Sequence, residues 1–124
     1  MMRLPDVEAM LVKFLAPIDV QVGTKIPNPR PASFIRLVRT GGAASNRVVE
    51  TVNITVTCEA ASSVDANELA AKARQMLLNE YTRMPLVRGI REVTGPYYNP
   101  DPDTNRDRYT FTVALIVRAT RTLS

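Results

Sequence analysis

The chain has 124 residues, sixteen cationic and twelve acidic side chains, a formal net charge of +4 and no histidine. That length makes one domain, 1–124, with a single core that buries roughly two thirds of the unfolded surface. Without histidine the chain lacks the commonest general base, the commonest metal ligand and the usual activator of a nucleophilic Ser or Cys.

The first element is predicted to be a helix opened by Pro5, whose missing N–H costs nothing at a first helical position. Val7, Met10, Leu11, Phe14 and Leu15 mark one face at helical spacing. Asp6 and Glu8 lie near the positive end of its dipole and Lys13 near the negative end, and Pro17 ends it. Ile18, Val20 and Val22 then alternate with Asp19 and Gln21 in a short strand, and Gly23 turns the chain. Pro27, Pro29 and Pro31 stiffen the connector that follows.

A second strand is expected over 33–40, with Ile35 and Leu37 facing in and Arg36 opposite. Phe34 and Val38 compete for the inward role. Gly41-Gly42 with Ala43, Ala44, Ser45 and Asn46 reads as a flexible hairpin tip; no P-loop lysine or helix follows it. The return strand alternates most clearly from Val52. Val52, Ile54, Val56, Cys58 and Ala60 line one face, and Thr51, Asn53, Thr55, Thr57 and Glu59 the other. The pattern reaches back through Val48 and Val49, and the early part is expected to project as a hairpin arm.

The second helix is predicted to start at Asp65 as N-cap, with Glu68 completing a capping box and Val64 and Leu69 a hydrophobic staple. Leu69, Ala73, Met76 and Leu77 form its buried face, and Pro85 stops it. Residues 86–94 read as a strand with a bulge at Gly89, broken by Gly95-Pro96. The polar, proline-rich connection after Tyr97 and Tyr98 holds Asp101, Asp103 and Asn105 at the first three ligand spacings of a calcium loop. Arg106 stands where that loop needs Gly, and Thr112 where it needs Glu, so the segment reads as a long hairpin turn. The last strand, 108–120, puts Tyr109, Phe111, Val113, Leu115, Val117 and Ala119 on one face. Ala114 and Ile116 on the other face suggest partial cover there by a subunit or an arm. The tail from Arg121 is expected to fray.

The order predicts an α+β, two-layer sandwich: a mostly antiparallel sheet, two helices on one face, and long hairpins. Cys58, alone on an apolar strand face, reads as a small buried hydrophobe in a chain suited to a reducing compartment. No apolar run is long enough to span a bilayer and no basic-then-apolar leader opens the chain, so a soluble intracellular protein is expected. No carboxylate pair, dinucleotide fingerprint or nucleophile elbow is recognisable, which favours a non-enzyme without cofactor or metal. Thirteen of the sixteen cations are Arg. They are scattered, and no aromatic residue interleaves with a basic run, so interface contacts suit them better than a nucleic-acid groove.

Several local phrases share this order. The opening Leu4-Pro5-Asp6-Val7-Glu8 helix leads to a short strand, a proline-rich connector and a hairpin strand Phe34-Ile35-Arg36-Leu37 with the turn Arg39-Thr40-Gly41-Gly42. Then come Thr51-Val52-Asn53-Ile54-Thr55-Val56, the capped helix, and Arg108-Tyr109-Thr110-Phe111-Thr112-Val113. Over nearly its full length the chain resembles the tail terminator proteins of long-tailed phages and prophages, particularly those of actinobacterial hosts. The resemblance rests on element order and local phrases, not on a catalytic signature. It implies a structural virion protein, assembled in the host cytoplasm as a ring, usually a homohexamer. Such a ring sits on the head-proximal end of the tail tube, stops tube polymerisation and presents a surface to the head connector. The implied partners are further copies of itself, the tail tube protein and the head–tail connector, with no membrane and no specific nucleic acid.

The family carries no short motif that assigns binding residues, so interface candidates come from patterning. They are Arg36, Arg39, Arg88, Arg91 and Arg118 on strand faces, and two loops. The loop at 41–46 includes Gly41 and Gly42; the loop at 97–106 includes Tyr97, Tyr98, Asp101, Asp103 and Arg106. Each arginine also suits a solvated strand face, and each loop a plain turn. The competing readings are a head–tail joining or neck adaptor protein and, from other classes, a small basic nucleic-acid-binding domain or a small enzyme relying on carboxylates or arginine.

Overall fold

Alternation in the fourth strand decides the architecture, because its apolar side must be covered. In the computed structural model, which describes residues 2–3, 6–44, 49–118 and 120–121, two helices lie against that side of a five-stranded sheet. The elements are β1 (Met2–Arg3), α1 (Val7–Leu15), β2 (Gln21–Gly23), β3 (Phe34–Ala44), β4 (Val49–Ala60), α2 (Ser63–Glu80), β5 (Val87–Tyr98), β6 (Asp107–Arg118) and β7 (Thr120–Arg121). The large sheet runs β2-β3-β4-β6-β5. Its pairs are antiparallel except β2 with β3. The chain is thus α+β, an open, mostly antiparallel sheet with two helices packed on it. β1 and β7 form a separate two-stranded pair.

The core is continuous. Val7, Leu11, Phe14 and Leu15 of α1 and Leu69, Ala70, Ala73 and Leu77 of α2 meet Ile35, Leu37, Val52, Ile54, Val56, Phe111, Val113, Leu115 and Val117 of the sheet. Each fully buried Val, Ile, Leu or Phe contributes about 1.5–3 kcal/mol, and these are the inward residues of the alternation. Cys58 lies in the same layer, and burial pushes its thiol pKa up to about 12.

Both helix starts differ from expectation. Asp6 is extended, and its carboxylate accepts from Ala9 N at 3.0 Å, so it is the N-cap of α1. The helix therefore begins after Asp6; Pro5 itself lies outside the described residues. Ser62 caps α2, its hydroxyl accepting from Asp65 N at 3.1 Å. The Asp65–Glu68 capping box is replaced, because Ser62 already satisfies the first turn and Asp65 is helical. Val64, 64% exposed, staples nothing. Met76 is only partly buried, while Ala66 and Ala70 complete the buried stripe. α2 passes into a short 3-10 turn, Tyr81–Arg83, and stops before Pro85 as expected.

The strands are longer than their sequence signals. β3 runs through Gly41, Gly42, Ala43 and Ala44, which pair with Asn53, Val52, Thr51 and Glu50. The glycine pair is therefore ladder rather than hairpin tip. A register shift between Arg39 and Gly41 absorbs the change, with Gly41 at φ 137°, where L residues are strained. Ser45 and Asn46, the rest of the predicted tip, lie outside the described residues. β4 is paired with β6 from Val49 and with β3 from Glu50, so its described part does not project alone. β5 passes through Gly95-Pro96 to Tyr98. It is an edge strand, where a proline need not donate to a ladder, and register shifts flank Gly89, Thr94 and Tyr97. Arg121, expected to fray, pairs with Met2; residues 122–124 are outside the description.

Candidate assembly surface

The helices cover one side of the sheet, and the other side is laid out in rows by strand register. From one end, Phe34, Glu59 and Arg108 align, followed by Arg36, Thr57, Thr110 and Tyr97. Val38, Thr55, Thr112 and Thr94 form the next row; then Gly41, Asn53, Ala114 and Arg91. Ala43, Thr51, Ile116 and Gly89 follow, and Val49 with Arg118 closes the series. Threonines dominate the middle. The Thr55 and Thr112 hydroxyls are 3.0 Å apart, and Thr110 donates to Thr57 at 3.5 Å. Such cross-strand pairs fit a pleated face that no helix covers.

The Phe34 end is closed by an ionic knot. Glu59 is fully buried, and Arg30 donates to both its oxygens, at 2.9 and 2.7 Å. Arg106 approaches the same carboxylate at 3.1 Å and also donates to Pro31 O and Ala32 O. Arg30 continues to Asp101, which Arg108 approaches at 3.8 Å, while its guanidinium lies 5.8 Å from the Phe34 ring centre. Asp101 also accepts from Asp103 N and Thr104 N. The Asp103 N–H first, then Arg30, and then the Thr104 N–H hold its pKa down from 3.8 to about 2. The same carboxylates raise the Arg30 pKa. The knot ties the proline-rich connector and the β5–β6 loop to the end of β4.

The other candidates divide. Arg91 and Arg118 are exposed on the uncovered face, and Arg88 is exposed at the Gly89 bulge. Arg36 is half-buried on the same face, its Nε 3.4 Å from Thr24 O. Arg39 instead pairs with Glu50 at 2.7 Å. Gly41 and Gly42 lie in the β3 ladder. Tyr97 is exposed on the open face; Tyr98, on the helix side, packs against Tyr109 at 5.6 Å and donates to Asp107. That bond raises the Tyr98 pKa. Asp103 is exposed in the loop; Asp101 and Arg106 are engaged within the knot. Ala114 is buried between its own strand neighbours, while Ile116 stays 39% exposed and unroofed by any helix of the chain.

Arg30, Glu59 and Arg108 are members of this arrangement that sequence reading did not single out. Glu59 carried one signal, a lone carboxylate in a run of β-branched residues. Its partners lie 29 and 47 positions away, and only strand register joins them. Among the described residues no group of three His, Cys, Asp or Glu is placed to hold a metal ion. No helix among them is long and apolar enough to cross a membrane. No protein-family model matches the chain, and no curated protein matches it.

Proposed function

We propose that this chain is a non-enzymatic phage tail terminator, which assembles as a ring, most simply a hexamer, on the head-proximal end of the tail tube. The ring stops tube growth and offers its outer surface to the head connector in the virion. The observation that carries this reading is the uncovered sheet face. It spans four long strands, holds exposed Tyr97 and Ile116, and bears arginines with no carboxylate partner among the described residues. A broad flat face with apolar and Arg side chains suits contact with another protein. The full-length resemblance in element order points to the same class.

The charge distribution favours a protein partner over nucleic acid. Arg30, Arg39, Arg74, Arg83, Arg106 and Arg108 already hold carboxylates of this chain. Fewer cations are left for phosphates than the composition suggests.

The test is solution mass by light scattering across a concentration series, alone and with purified tail tubes. A ring in solution, or one that caps one tube end and halts elongation, is expected. A chain that stays monomeric and leaves tubes uncapped and growing overturns the reading.

A further inference from the structure

The open face has an electrostatic counterpart on the opposite layer of the same molecule. In the rows set out above, Glu59 is the one carboxylate on the open face, and Arg30 and Arg106 already neutralise it. Arg91 and Arg118 are exposed there without an acidic partner among the described residues, in the rows on either side of exposed Ile116. The helical layer carries the opposite set. In the first two turns of α2, Val64, Asp65 and Glu68 are all exposed, and neither acid has an ion-pair partner among the described residues. Asp65 and Glu68 are the acids that the sequence pattern assigns to a cap, and Ser62 has taken that work from them.

We propose that the start of α2 in one copy docks on the open sheet face of the next. Val64 meets Ile116, and Asp65 and Glu68 meet Arg91 and Arg118, which stand in the rows on either side of it. The occupant is a second copy because this chain presents both halves of the match, apolar flanked by acid and apolar flanked by arginine. The two halves lie on opposite layers, so the contact is head-to-tail. Such a contact repeats from copy to copy and forms a ring where the rotation per step closes, whereas a twofold dimer would need one self-complementary patch. Like charges set face to face disfavour the two alternatives, sheet on sheet and helix on helix. The inference rests on the ring-forming reading and names its contact.

The test uses two charge-reversed full-length chains. One carries Arg91→Glu with Arg118→Glu, so its open face and its helix are both acidic. The other carries Asp65→Lys with Glu68→Lys, so both are basic. All four positions are exposed, and circular dichroism checks that each variant keeps its fold. Wild type is expected to assemble, more tightly at low salt, and each variant alone to lose assembly by at least about tenfold in midpoint concentration. An equimolar mixture should recover it, because acidic face meets basic helix and basic face meets acidic helix in alternation.

Variants that assemble alone as well as wild type overturn the contact while leaving the ring. A mixture that stays unassembled overturns it equally. If the wild type assembles neither alone nor on tubes, contact and ring-forming reading fall together. Retention of double-stranded DNA by wild type, lost in the arginine variant with no change in mass, overturns it in favour of a nucleic-acid surface.

Discussion

Two ends of one sheet face treat the same residue type in opposite ways. At the Phe34 end, Arg30, Arg106 and Arg108 surround Glu59 and Asp101 and are drawn into the body of the protein. At the other end, Arg91 and Arg118 stand exposed with no acidic partner among the described residues. The difference teaches that an arginine count says little about a partner surface until intrachain pairing has been subtracted. A buried carboxylate between two guanidiniums is costly to break, whereas an exposed, unpaired arginine contributes little to stability and is available for association.

The sharpest way to break this contrast is Glu59→Ala. It leaves Arg30 and Arg106 facing each other without their shared, fully buried carboxylate. The expected loss is about 3–5 kcal/mol of unfolding free energy, read by urea denaturation. A loss below about 1 kcal/mol would mean the knot is as weakly coupled as a surface pair. Phe111→Ala, on the dry side of the sheet, should cost a similar amount, about 3–5 kcal/mol, by leaving a cavity. The two variants together ask whether the ionic side of the sheet is held as firmly as the apolar side.

Acid titration sharpens the contrast further. The pKa of Asp101 lies below its ordinary 3.8, at about 2, so its contribution belongs to the ionised form. That contribution should be fully present above about pH 4 and vanish as the pH falls through the folded value. Asp101→Asn should flatten stability across that window, as followed by urea midpoints at successive pH values.

A smaller effect separates the two candidate caps of α2. Ser62→Ala should cost about 1 kcal/mol, and Asp65→Ala only a few tenths, in the same unfolding assay. Equal losses would restore Asp65 as the cap. The smallest change in stability is expected from Arg91→Ala and Arg118→Ala, within about 0.5 kcal/mol. A larger loss in either would show that the exposed arginines serve the monomer after all.

Much of the covered side was readable from residues alone. Alternation from Val52 to Ala60 and from Tyr109 to Val117 named the inward residues, because a strand's side chains change side at every position. Pro17 and Pro85 bounded the helices because a proline cannot continue one without losing a hydrogen bond. Local chemistry misled where two local signals competed. Ser62 and Asp65 both suit a cap, and the pattern preferred the wrong one. Gly41-Gly42 and Gly95-Pro96 are breakers in isolation. Both lie within strands here, since a bulge accommodates the first pair and an edge position the second.

The sequence by itself determined the fold class, most of the apolar stripe of the helices and of β4 and β6, and the poverty of recognisable catalytic motifs. All three depend on residue type and short-range spacing. Only the tertiary structure decided which arginines are spent and which are left. Arg30, Glu59, Asp101, Arg106 and Arg108 come from three separate stretches of chain, joined by the register of β4 on β6 and by the fold of the connector beside them. Ion pairing acts over a few ångströms in space, and no period along the chain encodes that distance.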